Sequence, residues 1–324
     1  MQKTKLKGGS LSGTYLITPD HGPAFVRKDV STVHNREYGF DRWYSQLKRM
    51  QRYQSMFPGL FPSLITYGLE GDLAYFDMEY IPDAVTGHEF LVQNDSPKAV
   101  DTFFAALKLA MARMHSTRLP STRDPLALYI REEVEQKLSD ALKNDRLKAF
   151  CKYENIYFNG EKAPAFVNQL ARYKEIFTAA YVHTDETYTH GNITLENLLY
   201  QPRSGRVIFI DPYEENIIDS VLAEYSQLYQ SCNSLYEQYN QSPVTIEGNR
   251  VTADLPKSLG LERFNLALTS FIEENYSPKD MMTIRMLEVS QFIRMLPFKA
   301  VIDEDKMIFF YCLASNLFHQ LTRG

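Results

Sequence analysis

Cysteine is scarce in this chain. Cys151, Cys232 and Cys312 stand far apart in 324 residues. No two are spaced as CxxC, which excludes a zinc ribbon and a thioredoxin-type redox motif. Long apolar runs are missing as well. The best candidate, residues 307–317, falls short of the ~20 apolar residues of a membrane helix and is interrupted by Ser315 and Asn316. The opening residues, MQKTKLKGGS, hold no apolar stretch of signal-peptide type. Charge of one sign is lacking too. Lys plus Arg number 35 against 40 Asp plus Glu, leaving −5, so the chain as a whole exerts no pull on nucleic acid or anionic lipid. These absences predict a soluble, cytoplasmic protein with ordinary thiols, no membrane span and no nucleic-acid partner. What is there is globular. The chain is 44% hydrophobic and 23% charged, and long enough for one large domain or two ordinary ones without a metal or disulfide staple.

The order of elements carries more information. Residues 11–18 and 24–28 have β-type composition and flank the turn Pro19-Asp20-His21-Gly22, which predicts a hairpin. Over residues 36–53, Phe40, Trp43, Tyr44, Leu47 and Met50 fall at helical spacing. Residues 64–68 and 73–81 read as two more strands joined by Glu70-Gly71-Asp72. Beyond Pro82 the character changes. Residues 97–116 form a long helical pattern, and residues 125–180 hold further helical patterns interrupted near Asn159-Gly160 and Pro164. Residues 198–200 and 207–210 are short apolar runs around Pro202-Arg203-Ser204-Gly205, a second hairpin. Residues 221–239, 261–275, 280–295 and 305–320 are again helical. The expected fold is α+β: a small β-rich lobe over residues 1–81 and a larger, mainly helical lobe over residues 82–324.

The chemistry concentrates in His190-Gly191-Asn192-Ile193-Thr194-Leu195-Glu196-Asn197 and in Ile210-Asp211-Pro212. Phosphoryl transfer from ATP needs Mg²⁺ held by oxygen ligands and a group beside the attacking hydroxyl. In the kinase solution a short loop supplies that group and, five residues later, an Asn ligand; a hairpin follows, with a metal-binding Asp at its far end. Asn192, Asn197 and Asp211 have that spacing, with the hairpin between them. Read singly, Asn197 is as well explained as a cap and Asp211 as a turn residue.

The stretch resembles the HRDxxxxN loop of protein kinases and, through Gly191, still more the HGDxxxxN loop of aminoglycoside phosphotransferases, choline kinases and related bacterial small-molecule or sugar kinases. The segment after Asp211 lacks a DFG glycine, a long activation segment and an APE motif. It resembles instead the kinases encoded with bacterial surface-polysaccharide genes. The resemblance spans about residues 5–235. It implies a two-lobed protein-kinase-like fold, ATP and Mg²⁺ as cofactors, and a small-molecule or sugar hydroxyl as acceptor. It also implies roles. Gly9, Ser10, Ser12 and Gly13 would approach the phosphates. Lys28, in a Val26-Arg27-Lys28 strand like the VAIK strand, would hold the α and β phosphates, with Glu37 rather than Asp41 orienting it. Glu79 and Ile81 would meet adenine. Asn197 and Asp211 would ligate Mg²⁺, while His190 and Asn192 would form the catalytic loop. For an anionic acceptor, Arg285 and Arg294 are candidate contacts.

One departure matters. The family has Asp where this chain has Asn192, and an amide keeps the shape and an acceptor but takes no proton. Loss of a general base costs about 10²–10⁴-fold, though phosphoryl transfer leans more on metal and positioning. Three explanations stand open: an introduced substitution, a natural enzyme drawing on Asp185 or Glu186, or a nucleotide-binding pseudokinase acting as regulator or scaffold. Two other classes are weaker. The aromatic stripe Tyr225, Tyr229, Leu235, Tyr236 and Tyr239 reads as core more readily than as a docking face. The basic run Arg42, Lys48, Arg49 and Arg52 reads as a solvated helix face.

Overall fold

The computed structural model describes residues 1–6, 12–34, 36–121, 123–183, 185–213, 216–255 and 257–323, with the side chains of Glu37 and Tyr38 also outside the description. The chain divides into two compact units. One comprises residues 1–90, 102–116 and 190–216; the other comprises residues 91–101, 117–189 and 217–324.

In the first unit, β1 (Gln2–Lys5), β2 (Gly13–Thr18), β3 (Phe25–Ser31), β4 (Leu64–Glu70) and β5 (Leu73–Glu79) form one sheet in the order β1-β2-β3-β5-β4. Every neighbouring pair is antiparallel. The expected hairpin β2–β3 is present, as are the two expected strands joined by Glu70-Gly71-Asp72. β1 is a strand the sequence does not announce, since all four of its residues are exposed and none is apolar. The helix expected over residues 36–53 begins as a π-helical stretch, Glu37–Asp41, and continues as α1, Arg42–Met56. Trp43, Leu47 and Met50 of α1 pack on Val26, Val30, Ala74, Phe76 and Met78 of the sheet. A second small sheet joins β6 (Val85–Thr86) to the strands Leu198–Gln201 and Arg206–Phe209, the second expected hairpin. Its turn closes at Gly205, where φ is +67°, a conformation glycine adopts without steric cost.

The second unit is mainly helical. Leu259–Asn275, Pro278–Arg294 and Glu304–Leu321 match the expected helices. Their starts have a local cause. Ser258, Ser277 and Asp303 each accept a backbone N–H as N-cap, and Ser277 with Asp280 forms a capping box ahead of Pro278. An aromatic core of Phe158, Phe166, Tyr173, Phe177, Phe292, Phe309, Phe310 and Phe318 holds them together. One expected interruption takes a definite form, and one expectation is corrected. The interruption expected near Asn159-Gly160 and Pro164 is a hairpin, Asn155–Phe158 with Glu161–Pro164, within a four-stranded sheet. Asn159 and Gly160 at its tip both have positive φ, +46° and +88°, as a type I′ turn requires. The helical reading of residues 221–239 breaks after Val221–Cys232, because Leu235 takes a left-handed conformation before Tyr236–Gln241. Tyr225 and Tyr229 are buried, consistent with a core stripe. Among the described residues no helix is long and apolar enough to cross a membrane.

Candidate active site

The site is built within the first unit. Burial alternates along β3, so Lys28 points to the same face as Val26 and Val30, toward α1, while Arg27 points to the other. There Arg27 makes a two-pronged ion pair with Asp77, at 2.7 and 2.9 Å, and also meets Glu70. The Asp77 carboxylate raises the Arg27 pKa further above the arginine range. Lys28 is 4% exposed. Its Nζ lies 2.8 Å from Asp211 Oδ1 and donates to Gln46 Oε1 of α1 at 2.9 Å. Its own carbonyl accepts from the Trp43 indole at 3.3 Å. Thus β3, α1 and the residue after the second hairpin meet at one ammonium group.

The loop at residues 190–197 is fixed by its own hydrogen bonds. His190 is fully buried; its Nε2 bonds the Ile210 carbonyl at 2.7 Å and its Nδ1 accepts the Asn192 N–H at 3.2 Å. Both ring nitrogens are committed to backbone. His190, expected in the catalytic loop, ties that loop to the strand end before Asp211 through these two bonds. Asn197 Nδ2 donates to the Asn192 carbonyl at 2.8 Å, and Ile210 N donates to the Asn197 carbonyl at 3.0 Å. With an amide hydrogen given to the loop, Asn197 has Oδ1 as its side-chain acceptor. Asp211 has φ +57°. A left-handed non-glycine residue stores strain, and such residues gather at functional sites.

Gly191 shows how tight the loop is. With φ at +79°, an added Cβ would stand 2.2 Å from Asn216 Nδ2, 2.3 Å from the Tyr213 carbonyl and 2.7 Å from Arg49 Nη1. Asn216 Nδ2 bridges the Gly191 and Tyr213 carbonyls, each at 3.3 Å. Arg49, 2% exposed, donates to the His190 carbonyl at 3.4 Å. The solvated-face reading of the basic run is thereby corrected for Arg49, which is buried beside the loop.

The other expected residues fall in various places. Gly9 and Ser10 lie outside the described residues. Ser12 and Gly13 lead into β2, and Gly13 sits opposite Asp29 of β3. The Glu37 side chain is also outside the description; Asp41 pairs with Arg36 at 3.6 Å instead. Glu79 ends β5, and its backbone N–H and carboxylate both bond Ser63. Ile81, two residues on, is buried, with 8% of its surface exposed. Asp185 and Glu186 belong to the second unit, where Glu186 accepts from Ser121 at 3.1 Å. Arg285 and Arg294 are occupied structurally. Arg285 pairs with Glu288 at 2.8 Å across the Tyr229 ring, and Arg294 with Glu133 at 2.6 Å. Sequence reasoning missed Gln46, Arg49 and Asn216. The signal for the first two is their register: positions 42, 46, 49 and 53 make one helical stripe beside the apolar one.

The donor set can be tested against Mg²⁺ and a nucleotide. One carboxylate and one amide oxygen are hard donors suited to Mg²⁺. A buried ammonium whose anionic partner can leave is suited to a phosphate. The residues present therefore fit the pair.

No family model matches the chain, and neither does any curated protein. Solved structures do. A protein of Haemophilus somnus 129PT provisionally named a fructosamine-3-kinase matches 98% of this chain and 92% of its own, with a TM-score of 0.58 at 11% identity. An aminoglycoside-3′-phosphotransferase of type VIII matches 89% of this chain and 92% of its own, with a TM-score of 0.45 at 13% identity. The first likeness shows the fold: α+β and protein-kinase-like, with an N-terminal sheet and a mainly helical C-terminal part.

Proposed function

We propose that this chain uses ATP and Mg²⁺ to phosphorylate a hydroxyl of a small molecule or sugar. The observation that carries the reading is the convergence of Lys28 on Asp211 at 2.8 Å beside a loop whose Asn197 is oriented by the Asn192 carbonyl. In this reading Lys28 holds the α and β phosphates, and the backbone at Ser12 and Gly13 approaches them. Glu79 and Ile81 flank adenine through backbone atoms. Asp211 and Asn197 hold Mg²⁺, which when bound neutralises charge on the transferred group. Asn192 orients the acceptor hydroxyl with its amide oxygen and leaves the proton to solvent. His190 and Arg49 keep the loop in place. The lobes of this reading divide near residue 82.

A second reading rests on a specific observation. Asn192 stands where the resembled loop has Asp, and the α1 side chain that Lys28 bonds is an amide, Gln46. That favours a pseudokinase that binds nucleotide without turning it over.

The test is thermal unfolding of the chain and of Asp211→Ala, with and without ATP and Mg²⁺. A ligand at ~100 times its Kd adds about 2.7 kcal/mol. A metal-dependent shift lost in Asp211→Ala supports the nucleotide site, and no shift in either protein sinks it. Turnover then separates the readings. Asn192→Asp should raise phosphoryl transfer by about 10²–10⁴-fold for an enzyme lacking its base, and should leave it at zero for a pseudokinase.

A further inference from the structure

Lys28 is a buried cation with two partners of different kinds. Asp211 is charged and partly open, with a quarter of its side chain exposed; Gln46 is neutral. Among the described residues Asp211 is the only carboxylate bonded to Lys28. A buried ammonium without a counter-charge is costly, so in the free protein Lys28 holds Asp211. Any divalent cation that calls on Asp211 must take it from Lys28.

We propose, on the nucleotide reading above, that Gln46 is a positioning residue that couples anion and metal binding. Because Gln46 gives Lys28 a hydrogen bond but no charge, Asp211 becomes free for a metal only when a phosphate has replaced it at Lys28. Phosphate and metal then bind cooperatively, and by linkage each tightens the other by the same factor. A carboxylate at position 46 would supply Lys28 permanently and release Asp211. It would also add a negative charge where the phosphates arrive.

The proposal predicts a crossed effect from one isosteric change. Binding of Mn²⁺ to the full chain without nucleotide would be followed by its paramagnetic signal. Binding of ATP in EDTA would be followed by displacement of a fluorescent ATP analogue. Gln46→Glu should tighten Mn²⁺ about tenfold or more, the scale of one close opposite charge, and should weaken metal-free ATP. Gln46→Met, which keeps the length without an acceptor, should leave Mn²⁺ near the wild-type value. Asp211→Ala should erase the Gln46→Glu gain. Structural damage from Gln46→Glu would weaken both ligands together, and that outcome overturns the proposal. So does Mn²⁺ affinity that fails to rise in Gln46→Glu. If ATP binds none of these proteins, with or without metal, the nucleotide reading itself fails, which is a separate result.

Discussion

The two compact units hold their buried polar groups differently. In the first, they converge: Lys28, Gln46, Asp211, Asn197, His190 and Arg49 are linked through β3, α1 and one loop. In the second, they are dispersed, and each serves a neighbouring element. Lys306 donates to the Tyr239 and Ser242 carbonyls at the end of a short helix. Lys299 donates to Asn240 at 2.6 Å, and Glu288 accepts from Asn233 and Ser234 while pairing with Arg285. Lys306 is held by backbone carbonyls, whereas Lys28 is held by a partly exposed carboxylate, which the proposal above makes exchangeable. Convergence of buried polar groups is what a site requires, and dispersal onto neighbouring elements is what a scaffold requires. The difference can be tested by substitution in each unit.

The largest effect belongs to the scaffold. Phe309 is fully buried, with Tyr239 4.8 Å away between ring centroids and Phe158 5.1 Å away. Phe309→Ala should cost about 3–5 kcal/mol in urea unfolding, and the folded fraction should keep any affinity for ATP unchanged. Loss of that affinity without loss of stability would break the division of labour. Next comes the site loop. Gly191→Ala combines a left-handed φ with contacts as short as 2.2 Å, and should cost about 2–4 kcal/mol. Its control is Gly71→Ala, also left-handed but with nothing within 4 Å of the added Cβ. That change should cost about 1–2 kcal/mol, the backbone term alone. Equal losses in the two variants would mean that the loop yields, and that its tightness is not part of the site.

The same contrast explains what was legible before the structure. The hairpins β2–β3 and β4–β5 of the first unit are announced by local turn chemistry, Pro19 to Gly22 and Glu70-Gly71-Asp72. Asn192, Asn197 and Asp211 are legible because one loop and one hairpin fix their separation along the chain. Gln46 is not legible because the sequence gives a neutral amide no mark as a lysine's partner. Arg49 was misread because a charged side chain on a helix is solvated far more often than buried. The hairpin at residues 155–164 was hidden by short strands among helical patterns, although Asn159-Gly160 carried its signature. Nothing in the local sequence marks Leu235 as left-handed, since a leucine has no intrinsic reason to adopt that conformation. Tertiary packing decides it.

The smallest expected effect tests how well the scaffold's dispersed charges are balanced. Lys299 is 6% exposed. Burial pushes its pKa below the ordinary lysine value, Asp303 pulls it part of the way back, and Lys306 adds to the fall. In the alkaline window below the unfolded value, the unfolded chain binds a proton that the folded chain lacks. Stability contributed by this group therefore rises with pH through that window, and its cost is fully present below it. The slope is at most about 1.4 kcal/mol per pH unit for one proton. Lys299→Met removes the titration. The stability difference between wild type and Lys299→Met, from urea unfolding at pH 7 to 10, should shift in favour of the wild type as pH rises. A difference that stays constant over that range would mean that Asn240 and Asp303 hold the Lys299 charge at no cost. A fixed partner would then serve a buried lysine as well as an exchangeable one, and the contrast between Lys28 and the lysines of the second unit would rest on exchange alone.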